Sequence, residues 1–353
     1  MGAFRLCVAR VLRGVGCVKR WTPGVVALWR GEGNIQIGSD PRTSFVLEGL
    51  SPAEQRLVEM LARDVGVPVD PGLLTRQIPA LEPERAQAIV TALVQAEVLV
   101  DLVPTPRHSA RQAARIVVVG GDDLGLRIAT VLATAGLGGV CVIDNSPVES
   151  DDVAPGGYLP RDRGLPRGQQ AVGHLRAACA TLTTSLPARP SLIVLVESRV
   201  AVPFRSAAYV REDIAHLSVV RRERDIVVGP SIRPGLDPCL RCLDLHRTNA
   251  DPTWPNLATQ LATAPPAPTD LGSVSIAAGL AANLALALVD GVETEADRGV
   301  TLEVDPLTPI PRQRRWAPHP LCGCGAHRAL RGGEVSRPAL ANQKVAPFTS
   351  RGH

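Results

Sequence analysis

The apolar and polar positions after Trp21 predict a small module of mixed structure. Two short strands, Val25–Trp29 and Asn34–Ile37, are joined by a Gly-Glu-Gly turn and predict a hairpin. Ser51-Pro52-Ala53-Glu54 is typical of a helix start, with an N-cap serine, proline at the first helical position and glutamate at the third. A short helix near Leu73–Ile78 is expected to follow.

The next helix is predicted by apolar residues that recur on one face, and the run Val98–Val103 predicts a return to strand. The recurring residues are Ala86, Ile89, Val90, Leu93 and Val94. A hairpin, three helices and a strand predict a winged-helix-like module, which we place at residues 21–104. Residues 1–20 lack the long apolar run and cleavage site of a signal peptide and predict a poorly defined segment.

The rest of the chain has the alternating pattern of an α/β domain. Pro104-Thr105-Pro106 and the polar stretch to Arg111 predict a domain boundary, and we place the second domain at residues 111–330. Strand, helix and strand form a βαβ unit with parallel strands, and later strands and helices extend it to a doubly wound Rossmann-like sheet. The predicted strands are Ile116–Val119, Val140–Ile143, Leu192–Val196 and Ile226–Val228, and the predicted helices are Leu124–Ala135, Gln169–Ala180 and Phe204–His216. The polar residues 331–353 predict a flexible tail.

Composition narrows the class of protein. The chain has 353 residues, 45% hydrophobic and 20% charged, which suits a soluble globular protein of two domains. Its longest apolar stretch, Ile276–Val289, has about 14 residues where a bilayer span needs roughly 20, so no membrane segment is expected. The net charge of +4 is almost wholly arginine, with Lys19 and Lys344 as the only lysines. The basic runs Arg221–Arg224 and Arg312–Arg315 lack interleaved aromatics, which argues against nucleic-acid binding.

The turn after the first strand of the second domain is a candidate nucleotide site. Its glycines are Gly120, Gly121 and Gly125, in the position where related folds hold phosphate at a helix N-terminus. Asp122 and Asp123 stand at the middle of this turn, and each would oppose an anion by roughly 1 to 4 kcal/mol at ~4 Å. The alternative is a capped helix in an emptied site, because carboxylates stabilise a helix N-terminus.

Asp144, at the end of the second strand of this domain, has two interpretations. An acidic residue in this position can accept hydrogen bonds from a ribose. It can equally cap or close the turn that follows, and the sequence leaves both open.

Four of the eight cysteines predict a structural zinc site. Two close pairs supply four thiolates about 80 residues apart, which closes a tetrahedral site and leaves no coordination position for water. The four are Cys239, Cys242, Cys322 and Cys324. A redox pair at Cys239 and Cys242, or a zinc-thiol regulatory site, is the alternative. Either cysteine chemistry suits a reducing, cytoplasmic compartment.

The other candidates near the metal pairs are histidines, which are more often surface residues: His246, His319 and His327. Cys141 and Cys179 are expected to act as small hydrophobes. Spacing alone reveals no Ser-His-Asp arrangement or paired carboxylates, so the catalytic residues are unknown.

Residues 110–330 resemble the ubiquitin-activating-enzyme-like (ThiF/MoeB/HesA) superfamily. The resemblance rests on the Arg115–Asp144 unit, on Pro166-Arg167 opening a helix, and on Pro238-Cys-Leu-Arg-Cys with a late cysteine pair. Three segments are similar to an actinobacterial branch labelled bacteriocin or azole-peptide (TOMM) cyclodehydratase-type, or leader-peptide-binding, proteins: Asp151–Gly157, Pro238–Leu245 with His246-Arg247-Thr248, and His319–Cys324. That branch also carries an N-terminal winged-helix-like module, and the superfamily implies a homodimer.

The resemblance implies an ATP site that this chain has altered. Active relatives have Gly-x-Gly-Gly-x-Gly at the turn, where this chain has Asp122-Asp123, and they have an arginine in the segment matching Asp151–Gly157, which has none here. Their phosphate-contacting lysine matches Arg167, and their magnesium-binding Asp-Asn pair matches Glu197-Ser198. Asp144 matches the acidic residue that binds the ribose in these relatives, and the four cysteines of the predicted zinc site match theirs.

Two functions follow from this comparison. The first is a scaffold whose N-terminal module binds a peptide at the hairpin edge and along the helix 86–96, while an ATP-using cyclodehydratase partner carries out the chemistry. The second is an active ATP- and magnesium-dependent adenylyltransferase that uses Asp144, Arg167 and Glu197. A phosphate site needs cations and bare amides, and the aspartates of the turn favour the first.

Overall fold

The computed structural model describes residues 18–63, 67–68, 71–101, 106–268, 270–292, 297–308 and 310–326. The chain forms two compact units that divide at Pro106, here called the N-terminal and C-terminal units. Among the sequence predictions, His327, the tail 331–353 and most of residues 1–20 lie outside the described residues.

The N-terminal unit has two small antiparallel sheets and three helices. One sheet has the order β5-β1-β6 and the other the order β2-β3-β4. The strands are β1 (Val18–Trp21), β2 (Ala27–Trp29), β3 (Ile35–Ile37), β4 (Phe45–Leu47), β5 (Val67–Pro68) and β6 (Leu99–Asp101). The helices are α1 (Pro52–Arg63), α2 (Pro71–Gln77) and α3 (Pro83–Gln95). Their apolar faces form one core that includes Leu57, Leu61, Ile89 and Leu93.

The hairpin and the helix start are present as the sequence predicts. β2 pairs with β3 in antiparallel register, with Leu28 opposite Gln36. Ser51 and Glu54 form a reciprocal capping box, in which each backbone N–H donates to the other side chain at 2.7 and 3.3 Å. β4 is an addition, since three residues after a polar turn give too short a pattern to predict. β1 begins inside the segment expected to be poorly defined, because it pairs with both β5 and β6.

The C-terminal unit is built on a seven-stranded mixed sheet in the order β13-β12-β11-β10-β9-β7-β8. Strands β7 to β10 are parallel, and β11 to β13 continue the sheet in antiparallel register. The strands are β7 (Arg115–Val119), β8 (Gly139–Ile143), β9 (Leu192–Ser198), β10 (His216–Arg221), β11 (Ile226–Ile232), β12 (Val300–Val304) and β13 (Arg312–Arg315). This is the Rossmann-like arrangement that the sequence predicts, with an antiparallel extension that it does not.

Helices precede this sheet and lie in the connections between its strands. They are α4 (Pro106–Ala113), α5 (Asp123–Ala133), α6 (Arg167–Ala178), α7 (Pro203–Arg211), α8 (Leu240–Ala250), α9 (Trp254–Leu261) and α10 (Leu271–Asp290). By length and composition alone α10 could cross a membrane, and it is longer than the apolar run seen in the sequence. Its buried face packs against α5 and the sheet, with Val274, Ala278, Ala281 and Ala285 in the core.

One segment of this unit is more ordered than the sequence indicates, and one predicted helix is too long. The stretch from Pro106 to Arg111, at which we place the domain boundary, forms the helix α4, which two ion pairs from Arg107 and Arg111 to Asp290 hold in place. The helix predicted over Phe204–His216 ends at Arg211, and His216 begins β10 by pairing with β9. The short turn between the two elements is followed directly by the buried strand β10, and the sequence carries no glycine or proline to mark the break.

Candidate functional site

The candidate site lies at the carboxyl ends of four parallel strands, where folds of this kind bind ligands. Gly120 follows β7, Asp144 follows β8, Glu197 is near the end of β9, and Arg221 ends β10. These ends surround a cavity of about 920 Å³. The sequence-predicted residues that line it are Gly120, Asp122, Asp123, Asp144, Arg167 and Glu197, and Gly121 and Gly125 belong to the adjoining turn.

The turn between β7 and α5 requires glycine at two positions. Gly120 has a φ of 96°, and a Cβ there would collide with the carbonyl oxygen of Val196. A Cβ at Gly125 would collide with the carbonyl oxygen of Gly120. The glycines therefore allow the close contact of strand, turn and helix that brings the turn to the cavity.

Both aspartates of the turn have partners within the chain. Asp122 caps α5 by accepting a hydrogen bond from the Gly125 N–H at 2.9 Å. Arg221 Nη2 lies 2.7 Å from Asp122 Oδ2 and 2.7 Å from Asp123 Oδ1. Burial raises the pKa of Asp123, although Arg221 acts in the opposite direction. Arg221 thus compensates, in part, the two negative charges that the sequence places at this turn.

Asp144 closes the loops around the turn. Its carboxylate accepts hydrogen bonds from the N–H of Gly121 and of Ser146, each at 2.8 Å. Burial opposes its ionisation, but these hydrogen bonds hold the pKa of Asp144 below its usual value. Of the two interpretations of this residue, the turn-closing role is observed in the structure.

Arg167 links the carboxylate of Asp144 to that of Asp152. Its guanidinium lies 2.7 Å from Asp152 and 3.4 Å from Asp144. Asp152 in turn accepts a hydrogen bond from the Asp123 N–H at 3.1 Å, and the Tyr158 hydroxyl donates to the Gly121 carbonyl at 2.6 Å. The predicted phosphate-contacting residue is therefore part of a network of internal ion pairs.

Glu197 also has hydrogen-bond and ion-pair partners within the chain. Its carboxylate accepts from the Val202 N–H at 3.2 Å, at the start of α7, and lies 3.2 Å from Arg205 Nη1. Burial raises the pKa of Glu197 above its ordinary value.

The cavity wall is acidic overall. Seven acidic and three basic residues line it. The acidic residues are Asp122, Asp123, Asp144, Glu149, Asp151, Asp152 and Glu197, and the basic ones are Arg167, Arg205 and Arg221. An anion entering this cavity would need an accompanying cation or a rearrangement of the ion pairs.

Sequence reasoning missed Arg221, Arg205, Asp152 and Tyr158 as members of the site. Arg221 appeared only as the first residue of a basic run, because β10 was not predicted as a strand. The apolar run Val219-Val220 between polar residues was the available signal, and extending β10 to Arg221 would have placed it at the same sheet edge.

The four predicted cysteines come together in a second site. Cys239 precedes α8, Cys242 lies in its first turn, and Cys322 and Cys324 follow β13. The sulfur atoms all lie within 4.8 Å of one another, with Cys239 to Cys322 and Cys242 to Cys324 at 3.6 Å and Cys239 to Cys242 at 3.9 Å. A tetrahedral zinc with Zn–S bonds of about 2.3 Å has sulfur atoms about 3.8 Å apart. The cluster can hold a metal ion, and its four-sulfur donor set suits zinc.

The neighbouring histidines have other partners. His319 is hydrogen-bonded through both ring nitrogens, to Asn249 and to the Leu321 N–H. His246 Nε2 lies 2.9 Å from the Ala317 carbonyl oxygen.

No family model matches the sequence, and no curated protein matches it significantly. Solved structures do resemble the chain. An Escherichia coli MccB structure with MccA has a TM-score of 0.64 at 15% identity and covers 87% of this chain and 99% of its own. Escherichia coli MccB with ATP has a TM-score of 0.61 at 14% identity, with coverage of 87% and 99%. A structure of PaaA has a TM-score of 0.59 at 14% identity, with coverage of 84% and 100%.

These structural neighbours support a ThiF/MoeB-like fold for this chain. At 14 to 15% identity the likeness shows the fold alone. The coarser of the sequence expectations, an E1-like α/β fold, is therefore confirmed.

Proposed function

We propose that this chain is a leader-peptide-binding scaffold that uses a ThiF/MoeB-like fold without its ATP chemistry and presents a peptide to a cyclodehydratase-type partner. The observation that carries the proposal is the pairing of Arg221 with both aspartates of the glycine turn. An adenylating site directs cations and bare amides at phosphate. In this chain the nearest cation, Arg221, is paired with the carboxylates of Asp122 and Asp123. These two residues belong to the turn whose backbone N–H groups would bind the phosphate.

The N-terminal unit supplies the peptide-binding surface in this proposal. In the described part of the chain, no strand pairs with the outer edge of β2 or of β4. Val26, Leu28 and Trp29, on or beside β2, expose 42 to 53% of their surface. An extended peptide can add to such an edge through backbone hydrogen bonds, with apolar side chains providing selectivity.

The strand register identifies the backbone groups that a peptide would use. Hydrogen bonds from Gly38 to Val26 and from Arg30 to Asn34 mean that the N–H of Ala27 faces away from β3. By the same alternation the N–H of Val46 faces away from β3 at the β4 edge. Ala27→Pro and Val46→Pro each remove one outward N–H without removing a hydrogen bond between strands.

The test measures binding of a candidate leader peptide, chosen from short open reading frames near the gene for this chain, by fluorescence anisotropy. A peptide that adds as a strand uses one of the two edges. We therefore expect the proline variant at that edge to weaken binding about tenfold, while the variant at the other edge serves as its matched control. Equal affinity of wild type and both variants would reject edge addition, and no binding to wild type would reject the scaffold. Melting curves show whether each variant is folded.

An active adenylyltransferase is the second candidate, and one observation favours it. The residues predicted for nucleotide and magnesium converge on one cavity, and MccB has been solved with ATP. Calorimetry with Mg-ATP, with ATP–pyrophosphate exchange on the same peptide, separates the two functions. Binding of Mg-ATP together with exchange would show that the chain is an active adenylyltransferase and would reject the scaffold proposal.

We extend the proposal to zinc at the four cysteines and to a homodimer.

A further inference from the structure

A second, smaller cavity lies on the opposite face of the sheet. Along β10, Arg221 lines the large cavity, whereas Ser218 and Val220 line the small one, as expected for side chains that alternate along a strand. The small cavity has a volume of about 200 Å³, somewhat larger than the roughly 150 Å³ that suffices for a benzene molecule. It can therefore admit a small molecule or one chemical group of a larger one.

Arginine dominates the charge of its wall. Four arginines and one glutamate line it, namely Arg199, Arg222, Arg247, Arg314 and Glu303. Glu303 lies 3.3 Å from Arg314 and 3.7 Å from Arg222. The other carboxylate partners of these arginines, Glu223, Asp225 and Asp244, do not line the cavity. The residues that line the cavity therefore carry more positive than negative charge, and the three other carboxylates lie outside its lining.

Arg247 is fixed in position but has donors to spare. Its guanidinium carbon lies over two indole rings, 5.0 Å from the centroid of Trp254 and 5.5 Å from that of Trp316. Its described hydrogen bond goes from Nη1 to Asp244 at 3.2 Å, which uses one of five N–H donors. Burial lowers the pKa of Arg247, and the charges of Arg222 and Arg314 act in the same direction. A bound anion would relieve this repulsion.

Ser218 provides an independent indication of a ligand. It is 1% exposed and lines the cavity, and its Oγ has no hydrogen-bond partner in the described part of the chain. Buried hydroxyl groups are ordinarily satisfied, because an unmade hydrogen bond is costly.

We propose that this cavity binds a small oxyanion, a carboxylate or phosphate group, held by Arg247 and Arg314 and by a hydrogen bond from Ser218. The planar guanidinium matches two oxygens of such a group. The indole rings keep Arg247 in place, so that little side-chain entropy is lost on binding. The site is separate from the glycine turn and does not depend on the peptide-binding proposal.

Calorimetric titration with inorganic phosphate and with glutarate, at constant ionic strength, tests the site and separates the two sources of the anion. Arg314→Gln is the main variant, because Arg314 is 57% exposed on its side chain and its loss should leave the fold intact. Arg315→Gln is the matched control, since the next residue of β13 points to the opposite face. Arg247→Gln and Ser218→Ala complete the set.

We expect saturable binding of at least one probe to wild type and to Arg315→Gln, and about tenfold weaker binding to Arg314→Gln and Arg247→Gln. Quenching of tryptophan fluorescence should accompany binding, because Trp254 and Trp316 line the cavity. Equal weakening by Arg315→Gln would reduce the effect to surface charge. No binding of either probe to wild type would overturn the proposal.

Discussion

Arg221 Nη2 lies 2.7 Å from Asp122 and 2.7 Å from Asp123, and so places one guanidinium between two carboxylates at the N-terminus of α5. The side chain of Arg221 is 9% exposed, which limits screening of both pairs by solvent. Asp122 also caps the helix. Both carboxylates of the turn thus have partners within the chain, while the buried Nε of Arg221 has no hydrogen-bond partner in the described residues.

Removing the two carboxylates should restore affinity for phosphate. In the double variant Asp122→Gly and Asp123→Gly, Arg221 loses its partners and two opposing charges are gone, so Mg-ATP affinity should rise about tenfold or more. Calorimetry with Mg-ATP measures the change. Asp151→Gly, which removes an exposed carboxylate from the same cavity wall, is the control.

If the double variant stays folded and binds nucleotide no better than wild type, the turn is not a phosphate site. The single variant Asp123→Gly keeps the Asp122 cap and distinguishes lost affinity from a disordered helix start. Asp123→Gly alone should show part of the gain in Mg-ATP affinity that is expected of the double variant.

The four cysteines should hold one zinc ion per chain. Cys239→Ser or Cys322→Ser should abolish zinc binding and lower the melting temperature, because the metal joins the start of α8 to the segment after β13. Metal content is measured by plasma emission spectroscopy on the purified protein. A strong chelator should lower the melting temperature of wild type in the same way.

Cys179→Ser is the matched control for these variants. Cys179 lies at the end of α6, outside the four-sulfur cluster, and its loss should change neither zinc content nor the effect of the chelator. Full zinc content in Cys239→Ser would contradict the site. Loss of zinc under mild oxidant with the fold intact would favour a regulatory role.

Local patterns explain how much of this molecule could be predicted. The βαβ unit from Arg115 to Ile143 has buried strands, a glycine turn and an apolar helix face, each of which is a property of neighbouring residues. The cysteine cluster was predictable as well, since each pair lies within one short segment and its chemistry limits the alternatives.

What could not be predicted depends on contacts between residues far apart in the chain. Arg221 meets Asp122 across 99 positions, and no local pattern marks it as the partner of the turn. The helix α4 is similar, because a polar segment with two prolines nearby resembles a linker until the ion pairs to Asp290, 179 or more positions away, are known. β4 and β13 are too short or too polar to be read as strands without their neighbours.

The attachment of α4 to the end of α10 should depend on pH. Hydrogen bonds from Arg111, together with those from Arg107, hold the pKa of Asp290 below its ordinary value. A carboxyl whose pKa is lower in the folded state stabilises the protein above its unfolded pKa of about 3.9, and that stability is lost as pH falls through the folded value. Asp290→Asn should therefore lower the free energy of unfolding by about 1 to 2 kcal/mol at neutral pH, after allowance for solvent screening of Arg107. Urea unfolding at several pH values measures this difference, which should shrink towards zero in acid. Glu212→Gln, an exposed carboxylate in the same unit, is the control, and a difference from wild type that does not change with pH would assign the effect to packing instead of charge.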